Sequence, residues 1–140
     1  MILDVRESIL RLWKEKYKDK IETGWYPKNF SLVNTSSGPF EYFELRRGTR
    51  QIGNFTLQEM SGSNMLVSSG AWLEKVYQNK GIGRSLNQLR IEAAGTVPII
   101  CTVNNTNIPQ IKVLLSNGWR KLADVDARSG LWMFKSKEVV

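Results

Sequence analysis

The sequence contains no histidine and a single cysteine, Cys101. The absence of histidine excludes Ser-His-Asp and Cys-His catalysis, zinc sites of the HExxH type and acid–base catalysis by imidazole. One cysteine can form neither an internal disulfide nor a thiolate zinc site. An enzyme of this composition must therefore rely on carboxylates, hydroxyls, backbone amides or the reactivity of a cosubstrate, and we expect no bound metal.

Long apolar runs are also absent, and acidic residues are fewer than basic ones. No apolar segment approaches the roughly 18 residues that span a membrane. Asp4, Arg6 and Glu7 interrupt the N-terminus where a signal peptide needs an apolar core. We therefore expect no membrane association and a cytoplasmic location. The 20 Lys and Arg against 13 Asp and Glu give a net charge of +7, which indicates either general solubility or an anionic partner.

Hydrophobic periodicity divides the chain into helices and strands without a linker or a repeat, so residues 1–140 are predicted to form one α/β domain. The predicted elements are a helix at 4–20, strands at 30–34, 39–47, 50–60 and 65–74, a helix at 82–94, a strand at 97–103, a helix at 108–117, and a hairpin of 119–127 with 131–137. In the last helix, Asn107 is the expected N-cap, and Ile108, Ile111 and Leu115 are expected to face inward.

The segment QNKGIGRSL, which begins at Gln78, has the composition of an anion-binding loop that opens into a helix. A P-loop would need four residues between its glycines, and a dinucleotide fingerprint would need a third glycine near Leu86. The segment instead has Gln, two residues, Gly81, one residue and Gly83. Free amides at a helix start bind phosphate oxygens, which glycines allow to approach closely. The alternative is a turn in which Gly81 supplies only conformational freedom.

In these residues the sequence resembles the GNAT superfamily of acyl-CoA-dependent N-acyltransferases. The pyrophosphate loop of that superfamily reads Arg or Gln, two residues, Gly, one residue, then Gly or Ala, between a strand and a helix. A second motif of the family, an apolar strand followed by Asn, a helix and Gly-Phe, is matched by Val103, Asn107 and Gly118–Trp119. The element order is similar over nearly the whole chain, and the motifs lie within 71–119. The resemblance implies an α+β fold with a mixed, mostly antiparallel sheet and a splayed central parallel strand pair flanked by helices.

The resemblance also implies acetyl-CoA as cosubstrate and a primary amine as acceptor, on either a small molecule or a protein. Backbone groups around Leu73 would pair with the pantetheine arm of CoA. Asn107 would contact that arm from the other side or act only as a helix cap. The pyrophosphate would be held by consecutive residues of the loop and helix start: Gln78, Asn79, Lys80, Gly81, Ile82, Gly83, Arg84 and Ser85.

The resemblance does not supply catalytic residues. Many members place a Tyr thiol acid where this chain has Leu114, and the strand MLVSSG lacks the carboxylate that some members use as a base. Glu59 and Glu74, the nearest acids, are interpreted as surface charges, so no catalytic acid or base is assigned. The short chain and reduced motifs are similar to those of small bacterial or phage-encoded members of the family, in which transfer activity is either kept or lost. Two alternatives stay open: a catalytically weak or inactive GNAT-fold binding or structural module, and a basic nucleic-acid-binding domain. A monomer and a homodimer are both compatible with the sequence.

Overall fold

A computed structural model describes residues 1–37 and 39–136 of the chain. The strands are β1 Phe30–Ser37, β2 Phe40–Arg47, β3 Arg50–Glu59, β4 Leu66–Leu73, β5 Ile99–Asn104, β6 Arg120–Asp124 and β7 Ser129–Phe134. The helices are α1 Ile2–Leu12, α2 Lys18–Glu22, α3 Ile82–Ala94 and α4 Ile108–Ser116. Residue 38, in the predicted first hairpin turn, and residues 137–140, which include the end of the predicted last strand, lie outside the described ranges.

The strands form one seven-stranded sheet in the order β1-β2-β3-β4-β5-β7-β6. All neighbouring strands are antiparallel except β4 and β5, which are parallel. The mixed, mostly antiparallel sheet expected from the sequence is therefore confirmed. Its core includes the stacked rings of Phe43 and Phe55, whose centroids are 4.9 Å apart. Helix α3 packs against both α1 and α4.

The N-terminal helical region is longer than predicted, and a π-helical segment, Trp13–Tyr17, joins α1 to α2. Buried side chains recur every four residues at Ile9, Trp13, Tyr17 and Ile21. An α-helical turn has about 3.6 residues, so side chains spaced by four residues would gradually rotate away from the sheet in a regular helix. The wider π turn keeps the four side chains on one face.

Strands β4 and β5 are hydrogen-bonded neighbours only at their beginnings. Their register contains the pairs Leu66–Ile99 and Val67–Ile100, after which β4 runs on to Leu73 and β5 to Asn104 without pairing with each other. In addition, β4 has one more residue than β3 between Ser69 and Trp72, which is a β-bulge. The predicted splay of the central parallel pair is confirmed, and it leaves an opening in the middle of the sheet.

Two local expectations were wrong. Leu114 is the fully buried residue of α4, whereas Ile108 and Leu115 are 50% and 59% exposed. Of the three residues predicted to face inward, Ile111 alone packs against the core, and it is partly buried. The helix IPQIKVLLS carries apolar residues on more than one face, so periodicity alone does not select the buried one. The last hairpin also turns earlier than expected, because Oδ1 of Asp126 accepts hydrogen bonds from the backbone N–H groups of Arg128 and Ser129 at 2.7 and 2.9 Å.

Among the described residues, no helix has the length and apolar character that a membrane crossing requires.

The connection from α2 to β1 depends on the buried carboxylate of Glu22, which accepts hydrogen bonds from Lys18 at 2.6 Å and from the backbone N–H of Phe30 at 3.1 Å. We expect Glu22→Ala to lower the free energy of unfolding by about 1–3 kcal/mol, because the buried N–H of Phe30 loses its acceptor. Glu15, which pairs with Arg11 but is 60% exposed, is the matched control. Glu15→Ala should change stability by less than about 0.5 kcal/mol. Equal losses in urea denaturation would contradict this account.

Candidate functional site

A cleft of about 400 Å³ lies between the end of β4, the start of α3 and helix α4. Most of the residues predicted from the sequence line it. These are Leu73, Gln78, Asn79, Gly81, Gly83, Arg84 and Asn107. Of the others, Lys80 is exposed, whereas Ile82 and Ser85 are buried beneath the loop. The fold thus brings distant segments of the chain to one opening, while ligand binding by these residues stays a prediction.

The loop before α3 has the backbone conformation that its glycines suggested. Gly81 is the N-cap of α3 with a φ of 87°, and Asn79 also has a positive φ of 60°. The N–H of Ser85 donates to the carbonyl of Gly81 at 3.0 Å and closes the first helical turn. The N–H groups of Ile82, Gly83 and Arg84 precede that bond, so they are the free donors of the helix start. A pocket of positive partial charge results at the cleft.

The space in front of the second glycine is open. A Cβ added at Gly83 would have a side-chain atom of Val113, at 3.9 Å, as its nearest neighbour outside its own helix. Gly83 does not need a positive φ, since it lies inside α3. Its lack of a side chain therefore keeps the cleft open rather than permitting the turn, whereas Gly81 serves the turn itself.

Gln78 has a positioning contact that the motif did not reveal. Its side-chain Nε2 donates to the carbonyl oxygen of Leu73 at 2.8 Å, which ties the loop to the end of β4. The N–H of Glu74 donates to Ile52 across the β3–β4 ladder. Because backbone groups alternate in direction along a strand, those of Leu73 face the other side, where the cleft lies. The carbonyl of Leu73 therefore faces the cleft but already accepts the hydrogen bond from Gln78.

Asn107 is both a helix cap and a cleft residue. Its Oδ1 accepts a hydrogen bond from the N–H of Gln110 at 3.4 Å, as an N-cap does. The same residue lines the cleft opposite β4. The two roles considered for Asn107 are therefore sterically compatible.

A second cavity, of about 160 Å³, lies where β4 and β5 separate, and we call it the splay cavity. It shares four lining residues with the cleft: Ala71, Arg90, Asn107 and Gln110.

Arg90 is a residue of these cavities that the sequence analysis did not identify. It is only 5% exposed, and it follows Leu86 by four residues on the buried face of α3. A charged residue at that helical position was the signal that could have identified it.

Within the described residues, the ionisable side chains that line these spaces are basic ones and Cys101. Among the residues that the structure describes, neither cavity is lined by Asp, Glu or Tyr. Glu74 instead pairs with Arg50 at 2.6 Å, and Glu59 lies 3.8 Å from the N-terminal amino group. Cys101 lines the splay cavity, but burial raises the pKa of its thiol to about 11, so it is protonated at neutral pH. No group of three or more metal-ligating side chains occurs in ranges 1–37 and 39–136.

The two loop glycines should respond differently to a methyl group. We expect Gly81→Ala to lower the free energy of unfolding by about 1–2 kcal/mol, because an L-residue is strained at its positive φ although the space around it is empty. Gly83→Ala has both a helical backbone and room, so it should keep stability or raise it by up to about 1 kcal/mol. Urea denaturation of both variants measures this, and a larger loss for Gly83→Ala would contradict it.

Comparison with known proteins places this geometry among acetyltransferase structures. An IAA acetyltransferase from Bacillus cereus matches with a TM-score of 0.63 and 17% identity, covering 71% of this chain and 79% of that one. A GNAT family acetyltransferase from Elizabethkingia anophelis with acetyl-CoA bound matches with a TM-score of 0.62 and 12% identity, covering 77% and 99%. A Bacillus subtilis acetyltransferase in complex with CoA matches with a TM-score of 0.58 and 12% identity, covering 78% and 99%.

Comparison of sequences identifies no relative: no protein-family model matches the chain, and no curated protein is significantly similar to it. The structure has three features that the resemblance in sequence implied: the splayed parallel pair, the glycine loop at the start of α3, and the mostly antiparallel sheet. Together with the matches over most of the chain, they establish that this protein has the fold of the GNAT acetyltransferases.

Proposed function

We propose that the protein, as one domain of residues 1–140, transfers an acetyl group from acetyl-CoA to a primary amine. The observation that carries this proposal is the glycine turn at the N-terminus of α3, which opens into a cleft beside the splayed β4 and β5. The neighbour from Elizabethkingia anophelis, whose structure holds acetyl-CoA, supports the choice of cosubstrate. Such a reaction also agrees with the expected cytoplasmic location.

The helix start is the proposed binding site for the pyrophosphate of CoA. The free N–H groups of Ile82, Gly83 and Arg84 are oriented by the helix and favour an anion. The side chains of Lys80 and Arg84 add positive charge at the rim. From there the pantetheine arm would follow the cleft side of Leu73 toward the β4 bulge, with Asn107 on the opposite wall.

The reaction needs alignment more than side-chain chemistry. The neutral amine attacks the thioester carbonyl, a C–N bond forms, the C–S bond breaks, and the amine proton passes to solvent while CoA leaves as a thiolate or thiol. Holding both reactants in contact and polarising the carbonyl with a backbone amide account for large parts of such barriers. Ala71 lies in the bulge of β4 and lines both cavities. We therefore place the thioester beside it.

A CoA-binding protein without transfer activity is the second candidate. The observation that favours it is the lack of Asp, Glu and Tyr in the linings of both cavities, within the described part of the chain. General acids and bases typically contribute about 10²–10⁴-fold to rate. A protein without them retains the positioning contribution, so detection of the acetylated product separates the two candidates.

Calorimetry with acetyl-CoA tests the cosubstrate site. We expect Gly83→Asp to weaken binding by at least about tenfold, because a carboxylate in front of the free amides repels phosphate and occupies its space. An acidic residue in the first turn is favourable to the helix, so the variant should fold. Thr96→Asp, which adds the same charge just beyond the other end of α3, is the control and should bind normally. Absence of acetyl-CoA binding by the folded natural protein would refute the site.

The pH dependence of transfer tests whether a side-chain acid or base of the protein takes part in the reaction. Cys101 and Arg90, the groups in the splay cavity with shifted pKa values, titrate near 11 and 10. Between pH 6 and 9, kcat/KM should therefore rise with the neutral fraction of the acceptor amine itself. Labelled acetyl-CoA and two amine acceptors of different pKa, chosen by screening, measure this. An inflection that stays at one pH for both acceptors would show that a protein group controls the rate.

A further inference from the structure

The splay cavity holds a buried cation, and the described residues supply no countercharge for it. In the described part of the chain, Arg90 forms no ion pair with a carboxylate; its partners are the hydroxyl of Ser68 at 2.6 Å and the carbonyl of Leu86 at 3.3 Å. Its guanidinium carbon also lies 4.7 Å from the ring centroid of Phe55. Burial lowers the pKa of Arg90 to about 10, which leaves it charged at neutral pH. Such a charge is costly to bury unless an anion compensates it.

Asn87 also lines the splay cavity. It is 1% exposed, and its Oδ1 accepts from Nε1 of Trp119 at 2.8 Å and from Nδ2 of Asn117 at 3.1 Å. An indole N–H can only donate, so these contacts fix the orientation of the amide. Its Nδ2 is consequently directed elsewhere, and within the described ranges it has no hydrogen-bond partner although it is buried. Buried donors normally have acceptors, so this one calls for an acceptor in the cavity.

The ligand that fits these donors is a carboxylate. One guanidinium and one amide match two oxygens that carry a single negative charge. A phosphate carries close to two charges, which one arginine would leave in excess inside the sheet. The volume of about 160 Å³ admits a short carboxylate-bearing chain, and Ala71 and Gln110 are shared with the cleft. The carboxylate would thus lie near the proposed thioester position.

We propose that Arg90 and Asn87 form a subsite in the splay cavity for a carboxylate carried by one of the two substrates. The inference rests on the proposed function. The carboxylate belongs either to the acyl chain, as in a dicarboxylic acyl thioester, or to the acceptor, as in an amino acid. It takes no part in bond making: the amine forms the C–N bond, the C–S bond breaks, and the carboxylate stays ionised.

The donor arm of the experiment compares succinyl-CoA with butyryl-CoA, which has four acyl carbons and no carboxylate. Calorimetry should show tighter binding of succinyl-CoA by about tenfold to a hundredfold, as expected for a charge-assisted hydrogen bond. Arg90→Met should abolish that preference while leaving the affinity for CoA itself. Because Met is apolar and similar in length to Arg, and the substitution removes a buried charge, we expect the variant to fold. Arg84→Met, in the same helix at the cleft, is the matched control and should weaken both ligands equally.

The acceptor arm uses labelled acetyl-CoA with a mixture of α-amino acids and, separately, with the corresponding α-amino amides. If the carboxylate comes from the acceptor, the acids should be acetylated at least about tenfold faster than the amides, and Arg90→Met should remove the difference. Arg90→Lys, which keeps the charge but not the fork of donors, should restore part of it.

The outcomes separate the subsite from the proposed function. A carboxylate preference that depends on Arg90 in either arm supports the subsite and identifies its source. CoA binding without a carboxylate preference in both arms overturns the subsite and leaves the transferase proposal standing. Failure of the folded protein to bind CoA overturns the transferase proposal, and the subsite falls with it.

Discussion

The separation of β4 and β5 after two residue pairs is the constraint on which the rest of the structure depends. A continuous parallel pairing would satisfy the backbone groups of both strands and leave no room between them. Once the two strands part, α3 and α4 must cover the opening between them. The backbone N–H and C=O groups that the strands no longer share need other hydrogen-bond partners. The link from Gln78 to Leu73, the bulge of β4 and the burial of Leu114 all answer that requirement.

The glycine loop is coupled to this opening through helix α3. Its first turn presents free amides to the cleft, and its later turns bring Asn87 and Arg90 to the splay cavity. One helix therefore supplies partial positive charge at its start and a full positive charge two turns further on. Both features favour anionic groups, in two neighbouring cavities that share four lining residues. The net charge of the chain, +7, agrees with this arrangement but does not locate it.

The fold and the loop were predictable because they depend on local patterns. Alternation marked the meander, and the spacing of Gly81 and Gly83 marked the start of α3. The side-chain partners were not predictable: the motif suggests a ligand contact for Gln78, which stays a prediction, but it does not reveal the hydrogen bond from Gln78 to Leu73. The burial and orientation of Arg90 and Asn87 depend on hydrogen bonds with Ser68 and Trp119, which are distant in sequence. Leu114 was buried by the packing of α4, which periodicity in an apolar helix cannot specify.

The short β4–β5 pairing also divides the sheet into a meander of β1–β4 and a three-stranded unit of β5, β7 and β6. Few backbone hydrogen bonds cross this seam, so the two halves can open by a local fluctuation that spares the interior of each. The cleft is lined by residues from both sides, including Leu73 and Asn107, so a ligand in it would contact both halves. A bound ligand would therefore stabilise the closed arrangement of the two halves. Hydrogen exchange of the backbone amides in β5–β7 would slow as ligand concentration rises, by mass action alone.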